Sequence, residues 1–270
     1  MRTLVAIPVY NEERYVERVL REVARYADEV LVVDDGSTDA TPSKLATLPV
    51  DVIRHKTNLG YGRSIRDAFR WAQCYRYDWL ITMDCDEQHE PASLPDFFAA
   101  VERDDADIVS GSRYLDDRRC GSPPPADRRR INGEVTRLVN ETLGLGITDA
   151  FCGYKAYRVS ALKTLELDVD GYAIPLQLWV QAAAHGLRVS EVPIRLIYTD
   201  EHRSFGGPLD DPEVRIAHYR EVFDAELAKH PELADLVAGA GVCHCNGGGP
   251  GGSGGGADAG RDRGASRGVA

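Results

Sequence analysis

The sequence predicts an α/β protein, a mostly parallel sheet with helices on both faces, and three observations carry that prediction. Short apolar runs alternate with stretches of helical spacing from the N-terminus to residue 111. A strand, a helix and a second strand fit within residues 3–33, the span of a βαβ unit with a parallel pair. Apolar runs also end abruptly in acid-rich clusters, at Asp34-Asp35-Gly36 and at Asp84-Cys85-Asp86-Glu87-Gln88-His89. Carboxylates then lie at the C-terminal ends of strands, the edge at which open α/β sheets bind ligands.

Residues 3–9 form the first buried strand, and Pro8 marks an edge or a stop near its end. Asn11 is placed to cap a helix whose first turn holds Glu12 and Glu13 and whose apolar face is Val16, Val19, Leu20 and Val23. Strands follow over residues 29–33 and 50–54, with a short helix between them over 43–48. Asn58-Leu59-Gly60-Tyr61-Gly62 is a turn, and the next helix places Ile65, Ala68, Phe69 and Ala72 on one face. Residues 79–83 are a buried strand, 91–101 a helix and 107–111 a strand. Residues 113–131 read as a long loop, with Pro123, Pro124 and Pro125 among many arginines. Beyond it come a helix over 132–143, a strand over 151–158, a helix over 174–185 and a strand over 189–198, with Pro193 marking an edge. A polar loop over 199–212 leads to a last helix over 213–229. One domain over residues 1–238 is expected, followed by a Gly-rich tail over 239–270 whose composition buries too little apolar surface to order itself.

The chain has 270 residues and a net charge of −11, with no long basic run. Nucleic acid is therefore excluded as the main partner, because gripping its backbone takes clustered Lys and Arg. Six cysteines lie without a framework spacing, and the N-terminus lacks signal-peptide anatomy. No stretch approaches the roughly 20 apolar residues of a membrane span. The expectation is a cytoplasmic protein, peripheral at most at the inner face of the membrane. Cys243-His244-Cys245 has no second ligand pair and reads as tail, not as a soft-metal site.

The cluster after residue 83 carries the chemistry. Asp84, Asp86 and Gln88 alternate, so an extended chain projects them to one side. Carboxylates with an amide oxygen suit Mg²⁺ or Mn²⁺, and Mg²⁺ usually takes substrate phosphates as further ligands. Taken alone, such a cluster is equally a solvated acidic turn. Cys85, a soft thiol, is a filler there.

The motifs together resemble glycosyltransferase family 2. They are IPVYNEE at residues 7–13, VVDDGSTD at 32–39, NLGYG at 58–62 and the Asp84–His89 cluster, which corresponds to the family's D-x-D-x-Q-H. GSRY at 111–114, the Arg128 region and DAFCGYKAYR at 149–158 are similar to the dolichyl-phosphate mannose synthase branch. The resemblance implies a GT-A fold, a GDP- or UDP-linked sugar as donor and a divalent cation held by Asp86 and Gln88. It places Pro8, Tyr10, Glu12, Asp35, Asn58, Gly60 and Asp84 around the donor. For the acceptor it offers Arg113, Arg129 and Arg203, with Ser204, Asp149 and Tyr154 nearby; the last two position the acceptor or simply pack. Arg113, Arg129 and Arg203 join Asp84 and Asp86 as the expected catalytic set.

The sequence departs from that branch at Gly171-Tyr172-Ala173, where a Glu usually follows, and after Arg203-Ser204, where a Lys is often found. A phosphate acceptor is already ionised at neutral pH and needs no general base, whereas a sugar hydroxyl does. The expected activity is therefore inverting transfer of a hexose to a polyprenyl phosphate. Transfer to a sugar hydroxyl, with Asp149, Asp170 or the Asp200-Glu201 pair as base, is the second reading. An idle nucleotide-sugar binder is the third.

Overall fold

In the computed structural model, described here for residues 1–85, 89–116, 125–195 and 207–233, the acid-rich segments follow the strands of one seven-stranded sheet. The strands are β1 (Thr3–Val9), β2 (Val30–Asp34), β3 (Asp51–Arg54), β4 (Trp79–Thr82), β5 (Ile108–Ser112), β6 (Lys155–Arg158) and β7 (Val189–Pro193), in the order β3-β2-β1-β4-β6-β5-β7. β1 pairs in parallel with β2 and β4, β2 with β3, and β5 with β7. β6 is the exception, inserted antiparallel between β4 and β5.

Both faces of the sheet are buried, as the near-continuous apolar strands require. Period-two alternation sends Leu4, Ala6, Leu31, Val33 and Leu80 into one core, with α3 (Tyr61–Cys74), α5 (Ala126–Leu143), α6 (Ile174–Ala184) and α7 (Pro212–Leu227). Val5, Ile7, Val9, Val30, Val32, Trp79 and Ile81 face the other, with α1 (Val16–Val23) and α4 (Leu94–Glu102). The short α2 (Thr41–Leu45) carries Pro42 in its first turn, where the missing N–H costs nothing.

Several local expectations are corrected. Asn11 does not cap α1, which starts at Val16 after Tyr15. It adopts φ 56°, and its side-chain oxygen accepts from Thr38 N at 2.8 Å, so it ties the chain after β1 to the chain after β2. Pro8 is a stop and not an edge: β1 is internal, and its pairing with β4 ends at Ala6 while that with β2 continues to Val9. Pro193 does lie on the edge strand β7. The segment read as a loop to residue 131 turns helical at Ala126. Pro125 is extended there and sits just outside the first turn, where proline is tolerated. The strand over 151–158 shortens to Lys155–Arg158, because residues 151–154 are used in the turn that leads into β6. The outer half of the strand expected over 189–198, the polar loop to residue 206 and the tail lie outside the described residues.

Candidate active site

A cleft of about 620 Å³ opens at the carboxyl ends of β1, β2, β4 and β5, within the range of small-ligand sites. Each wall traces to a strand end or a helix that packs over it. Pro8, Tyr10 and Glu12 follow β1, Asp35 follows β2, Asn58 and Gly60 precede α3, and Asp84 follows β4. All of the described residues expected around the donor therefore converge. The far wall carries Arg113 and Tyr114 after β5, Arg128, Ile131 and Asn132 on α5, Phe151, and Arg215 and Tyr219 on α7, while Gly171 and Tyr172 line the cleft beside α3.

The Asp35 carboxylate shapes the donor wall as well as lining it. Its Oδ1 accepts from Leu59 N at 2.8 Å and its Oδ2 from Gly60 N at 2.9 Å, which folds the 58–60 turn over the strand end. Gly60 sits at φ +102°, and a Cβ there would meet Asp170 O at 2.3 Å, so only glycine fits. Asp34 points away into the protein, where its Oδ1 accepts from Ser37 N at 2.9 Å and its Oδ2 lies 3.2 Å from Arg54 Nε.

At the end of β4, Asp84 N donates to His89 Nδ1 at 2.9 Å. His89 is buried, and burial, the largest influence, pushes its pKa down. An imidazole that accepts on Nδ1 carries its proton on Nε2. His89 thus fixes the backbone at Asp84. Asp84 Oδ1 is buried and accepts no hydrogen bond, an orphan oxygen of the kind a cation or ligand satisfies. Gly153 lets it sit there, since a Cβ at that position would lie 2.8 Å from Asp84 Oδ2. Asp86 and Gln88 lie outside the described residues, and among those described no group of three metal-ligating side chains assembles.

On the far wall, Arg113 is held bidentately by Asp149, with Nε to Oδ2 at 2.6 Å and a terminal nitrogen to Oδ1 at 2.8 Å. Asp149 is fully buried and also accepts from Asn132 Nδ2 at 2.8 Å. Burial alone would raise its pKa, but Arg113 outweighs that and holds the carboxyl well below the usual carboxylate range. Asp149 therefore lies behind the wall as the anchor of Arg113. Tyr154 does not line the cleft either. It is fully buried, its ring stacked on Phe97 at 4.3 Å. Arg129 is exposed and lays its guanidinium over the Tyr114 ring at 4.0 Å, while its neighbour Arg128 reaches the cleft. Arg203 and Ser204 lie outside the described residues.

Sequence reasoning passed over Arg215, Tyr61, Phe151, Tyr172 and Tyr219. Arg215 is buried, donating to Asp127 Oδ2 at 2.7 Å and to Leu209 O at 3.0 Å, which locks the start of α7 to the first turn of α5. Tyr61 stacks on Tyr172 at 5.6 Å, and Phe151 meets Tyr219 at 4.6 Å. Burial first, then the charge of Asp84, raises the pKa of both Tyr61 and Tyr172, so both stay neutral donors. The exposed Asp170 side chain pairs with Arg66 at 2.5 Å and does not line the cleft.

The model of the family "Glycosyl transferase family 2" matches residues 4–166. The chain is 33% identical over 234 residues to the undecaprenyl-phosphate mannosyltransferase of Micrococcus luteus, covering 81% of this chain and 94% of that protein. It is 34% identical over 205 residues to the polyprenol monophosphomannose synthase of Mycolicibacterium smegmatis, covering 72% and 76%. Among solved structures, glucosyl-3-phosphoglycerate synthase of Mycobacterium tuberculosis, in complex with Mn²⁺, UDP and glucosyl-3-phosphoglycerate, superposes with a TM-score of 0.63 at 20% identity, covering 85% of this chain and 79% of that one. The chain belongs to glycosyltransferase family 2. It is a glycosyltransferase of GT-A fold, and its similarity runs to the polyprenyl-phosphate branch.

Proposed function

We propose that this enzyme transfers a hexose from a GDP- or UDP-linked sugar to a polyprenyl phosphate, with inversion at the anomeric carbon. The separation of charge within the cleft carries the reading. The carboxylates that line it, Glu12, Asp35 and Asp84, follow β1, β2 and β4, whereas Arg113, Arg128 and Arg215 line the wall formed by the end of β5, α5 and α7. Among the described residues, the acceptor wall thus has guanidinium groups and no lining carboxylate to serve as a base. Asp149, the nearest candidate, is kept ionised and occupied by Arg113. Ala173, where the branch usually carries a Glu, is buried and offers no proton acceptor. An acceptor that brings its own negative charge suits this wall, since guanidinium recognises phosphate well. The names of the relatives at 33% and 34% identity, which specify polyprenyl phosphates, support the same acceptor.

Asp86 and Gln88 are the proposed holders of Mg²⁺ or Mn²⁺, beside the orphan oxygen of Asp84. When bound, the cation would neutralise charge on the departing diphosphate. Tyr10, Glu12, Asp35, Asn58 and Gly60 orient the nucleoside. Arg113 and Arg128, with Arg203 and Ser204 from the segment that follows β7, orient the acceptor phosphate; Arg129 supports them through Tyr114. No helix among the described residues is long and apolar enough to cross a membrane. Residues 239–270 are proposed to lie outside the catalytic domain.

The test is transfer from a panel of UDP- and GDP-sugars, with Mn²⁺, to a short polyprenyl phosphate and to free sugars in parallel. Transfer to the phosphate is expected, with Asp86→Ala slowing it about 10²- to 10³-fold. Arg203→Ala is expected to weaken lipid-phosphate use while nucleotide binding persists. Transfer only to free sugars would overturn the acceptor, and undiminished turnover by Asp86→Ala would overturn the metal assignment.

A further inference from the structure

His55 does not line the cleft, yet it is wedged between two carboxylates. It follows the last residue of β3, and its backbone N donates to Asp34 O at 2.9 Å, which keeps the chain in line with β2. Its side chain is 7% exposed. Nδ1 lies 2.6 Å from Asp35 Oδ1, and Nε2 lies 3.1 Å from Asp67 Oδ2 on α3. An ionised carboxylate only accepts, so the ring satisfies both contacts when both nitrogens carry protons. Asp67 is itself anchored, accepting from Arg63 Nε at 2.8 Å and from Arg70 at 2.9 Å. Among the described residues, the Asp35 carboxylate has no such anchor except His55; its other contacts are the Leu59 and Gly60 amides of the turn it is meant to hold.

We infer that His55 is a positioning residue for the donor: it braces the Asp35 carboxylate against α3, and through Asp35 it sets the 58–60 turn against which the nucleoside binds. The inference rests on the donor-side reading of Asp35 and is independent of the acceptor. Without the brace, the carboxylate and the turn move together, and the donor wall loses its shape before the donor arrives. The cost falls on donor affinity and not on the transfer step, because no reacting atom meets His55.

The two ring nitrogens allow a test that packing alone does not pass. In His55→Asn the amide nitrogen takes the place of Nδ1 and keeps the bond to Asp35. In His55→Gln the amide takes the place of Nε2 and keeps only the bond to Asp67. Binding of UDP and of GDP with Mn²⁺ is measured by calorimetry on the full chain, with KM for the sugar nucleotide, kcat and melting temperature beside it. His55→Asn is expected to bind close to wild type. His55→Gln and His55→Phe are expected to lose about tenfold in affinity and to show a KM about tenfold higher, the effect of a lost bond to a charged group, at little-changed kcat. Equal affinities for the Asn and Gln variants, or a loss in kcat with KM unmoved, would overturn the brace. Wild-type protein that binds neither nucleotide would overturn the donor-site reading itself, and the inference with it.

Discussion

At the scale of single residues, the Arg113–Asp149 pair has the largest stake. Asp149 is wholly enclosed and Arg113 nearly so, and a buried pair that loses one partner leaves an uncompensated charge. Asp149→Asn is expected to cost about 3–5 kcal/mol of stability. The sign with pH follows from a folded pKa held below the unfolded one. The contribution is complete above the ordinary Asp range near pH 4 and fades as pH falls toward the depressed folded value. Melting curves of wild type and Asp149→Asn should therefore converge on acidification and lie furthest apart at neutral pH. A gap that is constant with pH would show that the loss comes from packing. Residues of this kind were only half legible in the sequence. Arg113 followed a strand and was picked out, but nothing in the spacing separated Arg128 from Arg129 until the helix phase was known. Adjacent helical positions face different ways, so one lines the cleft and the other covers Tyr114. Arg215 did leave a signal. It falls on the stripe of Ile216, Tyr219 and Phe223 that faces the core, where a lone charge calls for a partner.

At the scale of elements, glycines separate turns that need them from a helix that does not. Gly60 combines φ +102° with a Cβ path blocked by backbone at 2.3 Å, so Gly60→Ala should cost about 1–3 kcal/mol from strain alone and abolish nucleotide binding. Gly133 lies inside α5 with open space around its Cβ position, so Gly133→Ala should stabilise by about 0.5–1 kcal/mol and leave transfer intact. Chemical denaturation of both variants checks the pair; a destabilised Gly133→Ala would mean that α5 needs its flexibility. The same helix shows why element boundaries escaped the sequence. Its apolar stripe begins only at Ile131, so the residues before it, Ala126, Asp127 and three arginines, have no periodicity to reveal them. β1, β2 and β4 were legible because both of their faces are apolar and their ends are acid. β6 was visible as a strand, but its reversed direction was not, since direction is set by the α5 connection and leaves no mark on Lys155–Arg158.

At the scale of the whole molecule, the cleft joins residues from every part of the described chain, from Pro8 to Tyr219. Ligand bound there cross-links the β1–β4 half to the α5 and α7 wall. A nucleoside diphosphate at 100 times its dissociation constant adds about 2.7 kcal/mol, which for a domain of this size raises the melting temperature by roughly 5–10 °C. Thermal scans with UDP or GDP should show that rise with Mn²⁺ present and a smaller one without it. No rise for either nucleotide would exclude the cleft as the donor site.

The reversed β6 also governs the order in which the protein is made. β1 to β4 complete their mutual pairing from the first 82 residues, so that half can assemble as soon as it leaves the ribosome. β5 finds its neighbours only in β6 and β7, which begin at Lys155 and Val189. At about 5–20 residues per second, its apolar edges wait for seconds before a partner strand is synthesised. The outer edge of β4 waits as well, since it too is closed by β6. A nascent chain of this enzyme therefore passes through an interval with three open strand edges, two on β5 and one on β4, and is most exposed to mispairing with its neighbours on a polysome.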